Sequence, residues 1–250
     1  MKQVQDAYIV AATRTPIGRS HKGYFRNYRP DDLLATALKA VMAQAPGLDP
    51  AVVEDVIAGC AIPEAQQGLN VARIGAVLAG LPNSVGGITV NRFCASGLSA
   101  VAMAADRIRV GEAEVMVAAG VESMSMVPMM GNAPSLSPEI FKNTSNVDDY
   151  GIAYGMGLTA EKVAQQWKVS RQAQDAFALE SHQRALKAIQ QGEFKDEITP
   201  VTVTERSVNL KTAEVTTSER TVDIDEGPRP ETSLEGLARL RTVFAARGSV

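Results

Sequence analysis

Short apolar runs alternate with longer amphipathic stretches through the first half of the chain. Residues 8–11, 53–58, 87–90 and 115–119 are rich in Val, Ile and Ala and are bounded by turn residues, which predicts buried strands. Residues 33–43, 71–79 and 97–110 lie between them and predict helices. In the last of these, Leu98, Val101, Ala102, Ala105 and Ile108 recur at the helical period, while Asp106, Arg107 and Arg109 occupy the other side. Strand, helix, strand, helix in this order predicts a layered α/β domain.

After Gly120 the texture changes. Met124, Met126, Met129 and Met130 share a stretch with Pro128, Pro134 and Pro138, and a polar run follows over 142–149, as in an excursion away from a sheet. Two helices are then predicted, near 159–167 and over 171–191, the second with Ser170 as N-cap and Gly192 as its stop. Phe177, Ser181, Ala185 and Ile189 give that helix a narrow apolar stripe, fit for lying on a surface. Residues 201–222 alternate Val and Thr with charged residues, as a solvated hairpin would. There is no internal repeat or low-complexity tract.

Composition narrows the function classes. Lys and Arg number 25 against 28 Asp and Glu, a formal net charge of −3, so no basic field exists to hold a nucleic-acid backbone. Residues 1–6 carry one Lys and no apolar run, so no signal or transit peptide is read there, and no uninterrupted apolar window approaches the length of a membrane span. A cytoplasmic protein is expected. Two cysteines, Cys60 and Cys94, make a disulfide framework improbable and suit a reducing compartment.

The segment that carries chemistry is Ile88-Thr-Val-Asn-Arg-Phe-Cys94-Ala-Ser-Gly-Leu-Ser-Ala. It runs from a buried strand through a tight turn into a helix of small residues, which places Cys94 at or just before the helix N-terminus. A thiol there meets unpaired backbone N–H groups and the positive end of the helix dipole, and both favour the thiolate. The same N–H groups can receive the oxyanion that forms when a thioester or ketone is attacked. Ala95, Ser96 and Gly97 are small enough to leave room for a substrate. A buried, inert cysteine is the alternative reading of the residue taken alone.

The stretch from Asn91 through Met126, with Asn-Arg-Phe-Cys-Ala-Ser-Gly-Leu-Ser-Ala and Val-Ala-Ala-Gly-Val-Glu-Ser-Met-Ser-Met, closely resembles the active-site signature of the thiolase family. The resemblance extends over the chain. Val10-Ala-Ala-Thr-Arg-Thr-Pro-Ile-Gly18 is similar to the family's opening strand and turn, and Gly59-Cys-Ala-Ile-Pro with Gln67-Gly-Leu-Asn-Val-Ala-Arg73 to its second strand and following helix. Tyr154-Gly-Met-Gly-Leu-Thr-Ala-Glu161 and Ser170-Arg-Gln-Ala-Gln-Asp-Ala-Phe177 resemble the loop domain that covers coenzyme A. The resemblance therefore implies an incomplete α-β-α amino-terminal domain over 1–122, lacking its last strand, and a mostly helical loop domain over 123–250. The carboxy-terminal repeat of the family's fold is absent from this sequence.

What the family does is implied in the same way. Cys94 would attack the ketone of a 3-ketoacyl-CoA, acetyl-CoA would leave, and free CoA would take the acyl group from sulfur; reversed, the reaction is a Claisen condensation. Met156, Arg229 and Phe244 match positions lining the CoA site, with Arg229 toward the adenine and phosphate end. CoA is then a substrate, and no cofactor or metal is implied. Pro63-Glu-Ala-Gln-Gln-Gly leans toward the degradative, fatty-acid β-oxidation branch. Gly155 stands where relatives often place a His, which puts one substrate contact in doubt. A homodimer or homotetramer is implied.

Family members also use a histidine base and a second cysteine, both in carboxy-terminal motifs that this sequence does not contain. His21 and His182 read as ordinary surface histidines and Cys60 as a packed core thiol. The sequence stops at Arg247-Gly-Ser-Val250, where the family continues, so a truncated chain is expected, with an exposed face that promotes poor solubility or self-association. Two alternatives stay open. One is a catalytically silent half that binds CoA or assembles with a partner. The other is a ketosynthase of the wider superfamily, against which Asn91-Arg-Phe and the Met-rich loop argue.

Overall fold

The computed structural model describes residues 4–142 and 155–250. Most of the polar run 142–149 lies outside the described residues, as does Tyr154. In chain order the elements are α1 (Pro30–Ala43), β1 (Val53–Gly59), α2 (Val71–Leu78), β2 (Gly86–Val90), α3 (Ser96–Arg109), β3 (Val115–Gly120), α4 (Glu139–Lys142), α5 (Met156–Gln166), α6 (Arg171–Gln191), β4 (Val201–Val208), β5 (Val215–Val222) and α7 (Leu234–Ala238).

Strand β1 is the centre of a parallel sheet ordered β2-β1-β3, with Ile57 level with Ile88 on one side and Ala118 on the other. Every β1 residue except Glu54 is buried, as expected of a parallel strand covered on both faces. Its side chains alternate between two cores. Val56 and Ala58 pack with Leu34 and Leu38 of α1 and with Val71, Ala72 and Ala76 of α2, while Ile57 packs against Ala100 and Ala104 of α3. Helices on both faces of a sheet give the α-β-α layering that the sequence predicts.

Helix α3 does not seat its large apolar residues. Leu98 is 74% exposed and Val101 is exposed too, whereas Ser96, Ala100 and Ala104 face the sheet. A stripe of small residues four apart lets the helix axis approach the strands closely, and that closeness fixes the face which docks. Arg107, read as part of the solvated side, instead pairs with the buried Asp55 of β1 at 2.9 Å.

The strand expected over 8–11 is not formed. Tyr8, Ile9 and Val10 are 76–84% exposed and join no ladder. The segment is tied down by single bonds instead: Gln5 donates from its backbone and side chain to the Arg109 and Ile108 carbonyls at the end of α3, and Ala12 N donates to Gln44 Oε1. An apolar run predicts affinity for a sheet but does not bring the segment to an edge: the outer edges of β2 and β3 stay unpaired among the described residues.

The described residues form two units, 1–133 with 194–227 and 134–193 with 228–250. This differs from a boundary at 122–123, because the 201–222 hairpin returns to the first unit. Its root is not solvated: Val201, Val203 and Val222 pack on Phe25. Arg14 and Asp225 also join this hairpin segment to the turn after residue 13.

The second unit is built on α5, α6 and α7. Helix α6 begins where Ser170 Oγ accepts from Ala173 N and ends at Gly192, whose φ of +73° needs no β-carbon. It has no fully buried residue, in keeping with its narrow stripe. Arg171 donates to the Leu237 and Leu240 carbonyls at the end of α7, and the Glu161 carboxylate of α5 accepts from Ser249 N and Val250 N.

Candidate active site

Three parallel strands necessarily end at one edge of the sheet, and the loops that leave there are where an open α/β sheet receives ligands. The loops after β1, β2 and β3 are fastened to one another at that edge. Glu122, just past β3, accepts from Ala61 N at 2.7 Å and from Gln67 Nε2. Gln67 is fully buried; its Nε2 also donates to the Ile62 carbonyl, and its Oε1 accepts from Ser123 N at 2.9 Å. Asn91, just past β2, donates from Nδ2 to the Ala61 carbonyl at 2.9 Å. Motifs far apart in sequence, Gly59-Cys-Ala-Ile-Pro, Gln67-Gly-Leu and Val121-Glu-Ser, thus form one polar lattice.

Cys94 stands on the turn between β2 and α3, two residues before the helix begins, and its side chain is exposed. Phe93, immediately before it, has φ +47°, an uncommon conformation for a residue with a β-carbon. Ser96 Oγ accepts from Arg92 N at 2.8 Å and donates to the Phe93 carbonyl at 2.6 Å, and Asn91 Oδ1 accepts from Phe93 N at 2.9 Å. Among the described residues no acceptor faces the backbone N–H of Cys94, Gly97 or Leu98. These are unsatisfied donors of a helix start, and one of them belongs to the residue that bears the accessible sulfur. Nothing lies within 4 Å of a β-carbon built on Gly97, so that side of the helix start is open.

This arrangement can do nucleophilic chemistry: an exposed thiol on a residue whose own backbone N–H is free among the described residues. The match to a thiolase amino-terminal domain runs over residues 7–250. The chain belongs to the thiolase family. It is 45% identical to the 3-ketoacyl-CoA thiolase of Bacillus subtilis (strain 168), over 99% of this chain and 61% of that protein. It is 43% identical to the β-ketoadipyl-CoA thiolase of Pseudomonas aeruginosa, over 96% of this chain and 60% of that protein. The crystal structure of Bacillus anthracis acetyl-CoA acetyltransferase superposes with a TM-score of 0.81 at 34% identity, covering 100% of this chain and 62% of that one. The chain thus spans about three-fifths of the length of these thiolases.

The other residues singled out in the thiolase sequence fall as follows. Met156 begins α5 and is exposed; Phe244 is half exposed, its ring lying directly against the α-carbon of Gly157, so the two sit at one end of α5. Arg229 is exposed, and its backbone N–H donates to His182 Nδ1 at 3.2 Å. His21 is exposed, with φ +61° and its N–H on Ser125 Oγ. Cys60 is sealed in the core, where burial, reinforced by the Glu122 charge, pushes its thiol up to about 11.

In the sequence Ser96 is one of three small residues that make room. It is 3% exposed, and its hydroxyl is spent on the turn. A serine two residues after the cysteine, at the first position of the helix, was the signal that could have marked it. No helix among the described residues is long and apolar enough to cross a membrane.

Proposed function

We propose that the whole protein is a thiolase that cleaves 3-ketoacyl-CoA with CoA, giving acetyl-CoA and a shortened acyl-CoA, through an acyl group carried on Cys94. The observation that carries this reading is the exposed Cys94 thiol on a residue whose backbone N–H has no acceptor among the described residues. In the first half-reaction the thiolate adds to the C3 ketone and the carbonyl oxygen takes the electron pair. The C2–C3 bond then breaks; the acyl group stays on sulfur, and the departing acetyl-CoA carbanion takes a proton at C2. In the second, the CoA thiol gives up its proton and attacks the thioester, and Cys94 leaves as thiolate. Cys60 does not serve as the second cysteine in this scheme, because it is buried and holds its proton.

Met156, Phe244 and Arg229 are proposed to meet CoA, the first two through apolar contact and the third through charge. CoA enters as substrate, with no resident cofactor. The degradative direction is favoured by the Pro63-Glu-Ala-Gln-Gln-Gly segment and by relatives named 3-ketoacyl-CoA thiolase. A homo-oligomer in the cytoplasm is the proposed setting, where reducing conditions would keep both free cysteines as thiols.

The test uses the protein expressed from its complete coding region. Incubated with an acyl-CoA and digested, the wild type is expected to show acyl mass on the Cys94 peptide, and Cys94→Ala to show none. Absence of both adduct and turnover in the wild type would establish a silent CoA-binding or assembly module instead.

A further inference from the structure

Resting on the reading of Cys94 as nucleophile, we propose that Ser96 and Asn91 are positioning residues which aim the Cys94 backbone N–H at the reacting carbonyl oxygen. Within one trans peptide plane the C=O of Phe93 and the N–H of Cys94 point in opposite directions. The Phe93 carbonyl is turned inward, where it accepts from Ser96 Oγ at 2.6 Å and from Ser96 N at 3.0 Å. The Cys94 N–H is therefore turned outward, away from the helix and free of any acceptor among the described residues.

Hydrogen bonds rather than packing hold that plane. The Phe93 side chain is 72% exposed, so packing does not hold its left-handed backbone in place. Two backbone bonds close the turn, Ala95 N to Arg92 O and Ser96 N to Phe93 O, and two side chains add three more: Arg92 N to Ser96 Oγ, Ser96 Oγ to Phe93 O, and Phe93 N to Asn91 Oδ1. Asn91 is itself anchored on the Ala61 carbonyl, and Ser96 is 3% exposed at the point where α3 meets β1. Both side chains act behind the reacting sulfur.

The role can be separated from mere support of the fold by comparing two reactions of the same thiol in the complete protein. Acylation by an acyl-CoA develops an oxyanion that needs the amide, whereas alkylation by iodoacetamide develops none. Ser96→Ala is expected to slow acylation of the Cys94 peptide about tenfold while alkylation stays within about twofold of wild type. Cys60, sealed in the core, stays unlabelled and reports an intact fold. Adding Phe93→Gly to Ser96→Ala is expected to recover most of the loss, because glycine takes a positive φ without being held there. Wild-type acylation in Ser96→Ala, an equal fall in both reactions, labelling of Cys60, or no recovery with Phe93→Gly each overturns the positioning role. A wild type that takes no acyl group at Cys94 overturns the nucleophile reading itself, and this inference with it.

Discussion

The α-carbon of Gly59 lies directly beneath the backbone of Gly97: a β-carbon built on Gly59 would stand 2.5 Å from the Gly97 nitrogen and 2.5 Å from the Ser96 carbonyl carbon. The end of the central strand and the first turn of α3 thus meet backbone to backbone. Nothing larger than hydrogen fits between them. The strand end thereby sets the height of the helix start, and with it that of the turn bearing Cys94.

Gly59→Ala is expected to destabilise the protein by about 1–3 kcal/mol, since both neighbours are backbone and neither can rotate aside. Urea denaturation would show a lower midpoint. The same variant should acylate Cys94 more slowly, because relief requires the helix start to lift. An unchanged midpoint would mean that the two backbones separate freely.

Cys60 predicts a stability loss in alkaline solution. Its folded thiol is pushed up to about 11 by burial and by Glu122, against an ordinary value of 9.0. Between these values the unfolded chain gives up its proton and the folded chain does not, so stability falls as pH rises through that window and levels off above it. The loss from this group is about 2–3 kcal/mol. In Cys60→Ala the alkaline slope should be shallower by that amount, measured as urea midpoints at several pH values. Equal slopes would mean that the thiol ionises as freely in the folded protein as in the unfolded one.

Local features of this thiolase chain were readable in the sequence, and long-range ones were not. The position of Cys94 at a helix start follows from a strand, a turn and a run of small residues, all within a few positions. Ser170 and Gly192 mark the two ends of α6 for the same reason. The docking face of α3 was missed because periodicity ranks side chains by hydrophobicity, while the contact with β1 rewards small size at Ser96, Ala100 and Ala104. The 8–11 run has a strand's composition, but composition says nothing of a neighbouring edge. Ser96 looked like a spacer, since the direction of a hydroxyl depends on which carbonyl the turn brings to it. Met156, Arg229 and Phe244 came from family resemblance alone; only Phe244 against Gly157 is a relation that the fold adds.

Arg14 and Asp225, 211 positions apart, close the first unit around the hairpin, and they predict an acid-side effect of opposite sign to that of Cys60. Two guanidinium nitrogens meet the two carboxylate oxygens at 2.8 and 2.9 Å, and Ile17 N donates to the same group at 2.8 Å. Burial alone would raise the Asp225 value; the Arg14 bonds, the Ile17 N–H and the Arg14 charge outweigh it, and the carboxyl titrates below its ordinary 3.8. A depressed folded value means that the stabilisation is complete above the unfolded value and is lost as pH falls through the folded one. Asp225→Asn should therefore cost about 1–3 kcal/mol near neutral pH, since it leaves a partly buried guanidinium and the Ile17 amide poorly matched. The deficit should shrink as pH falls below the ordinary 3.8 and on through the lower folded value, where the wild-type carboxyl is itself protonated. Urea midpoints for both proteins across that range would decide it: a deficit that stays constant into acid would show that Asp225 contributes shape rather than charge.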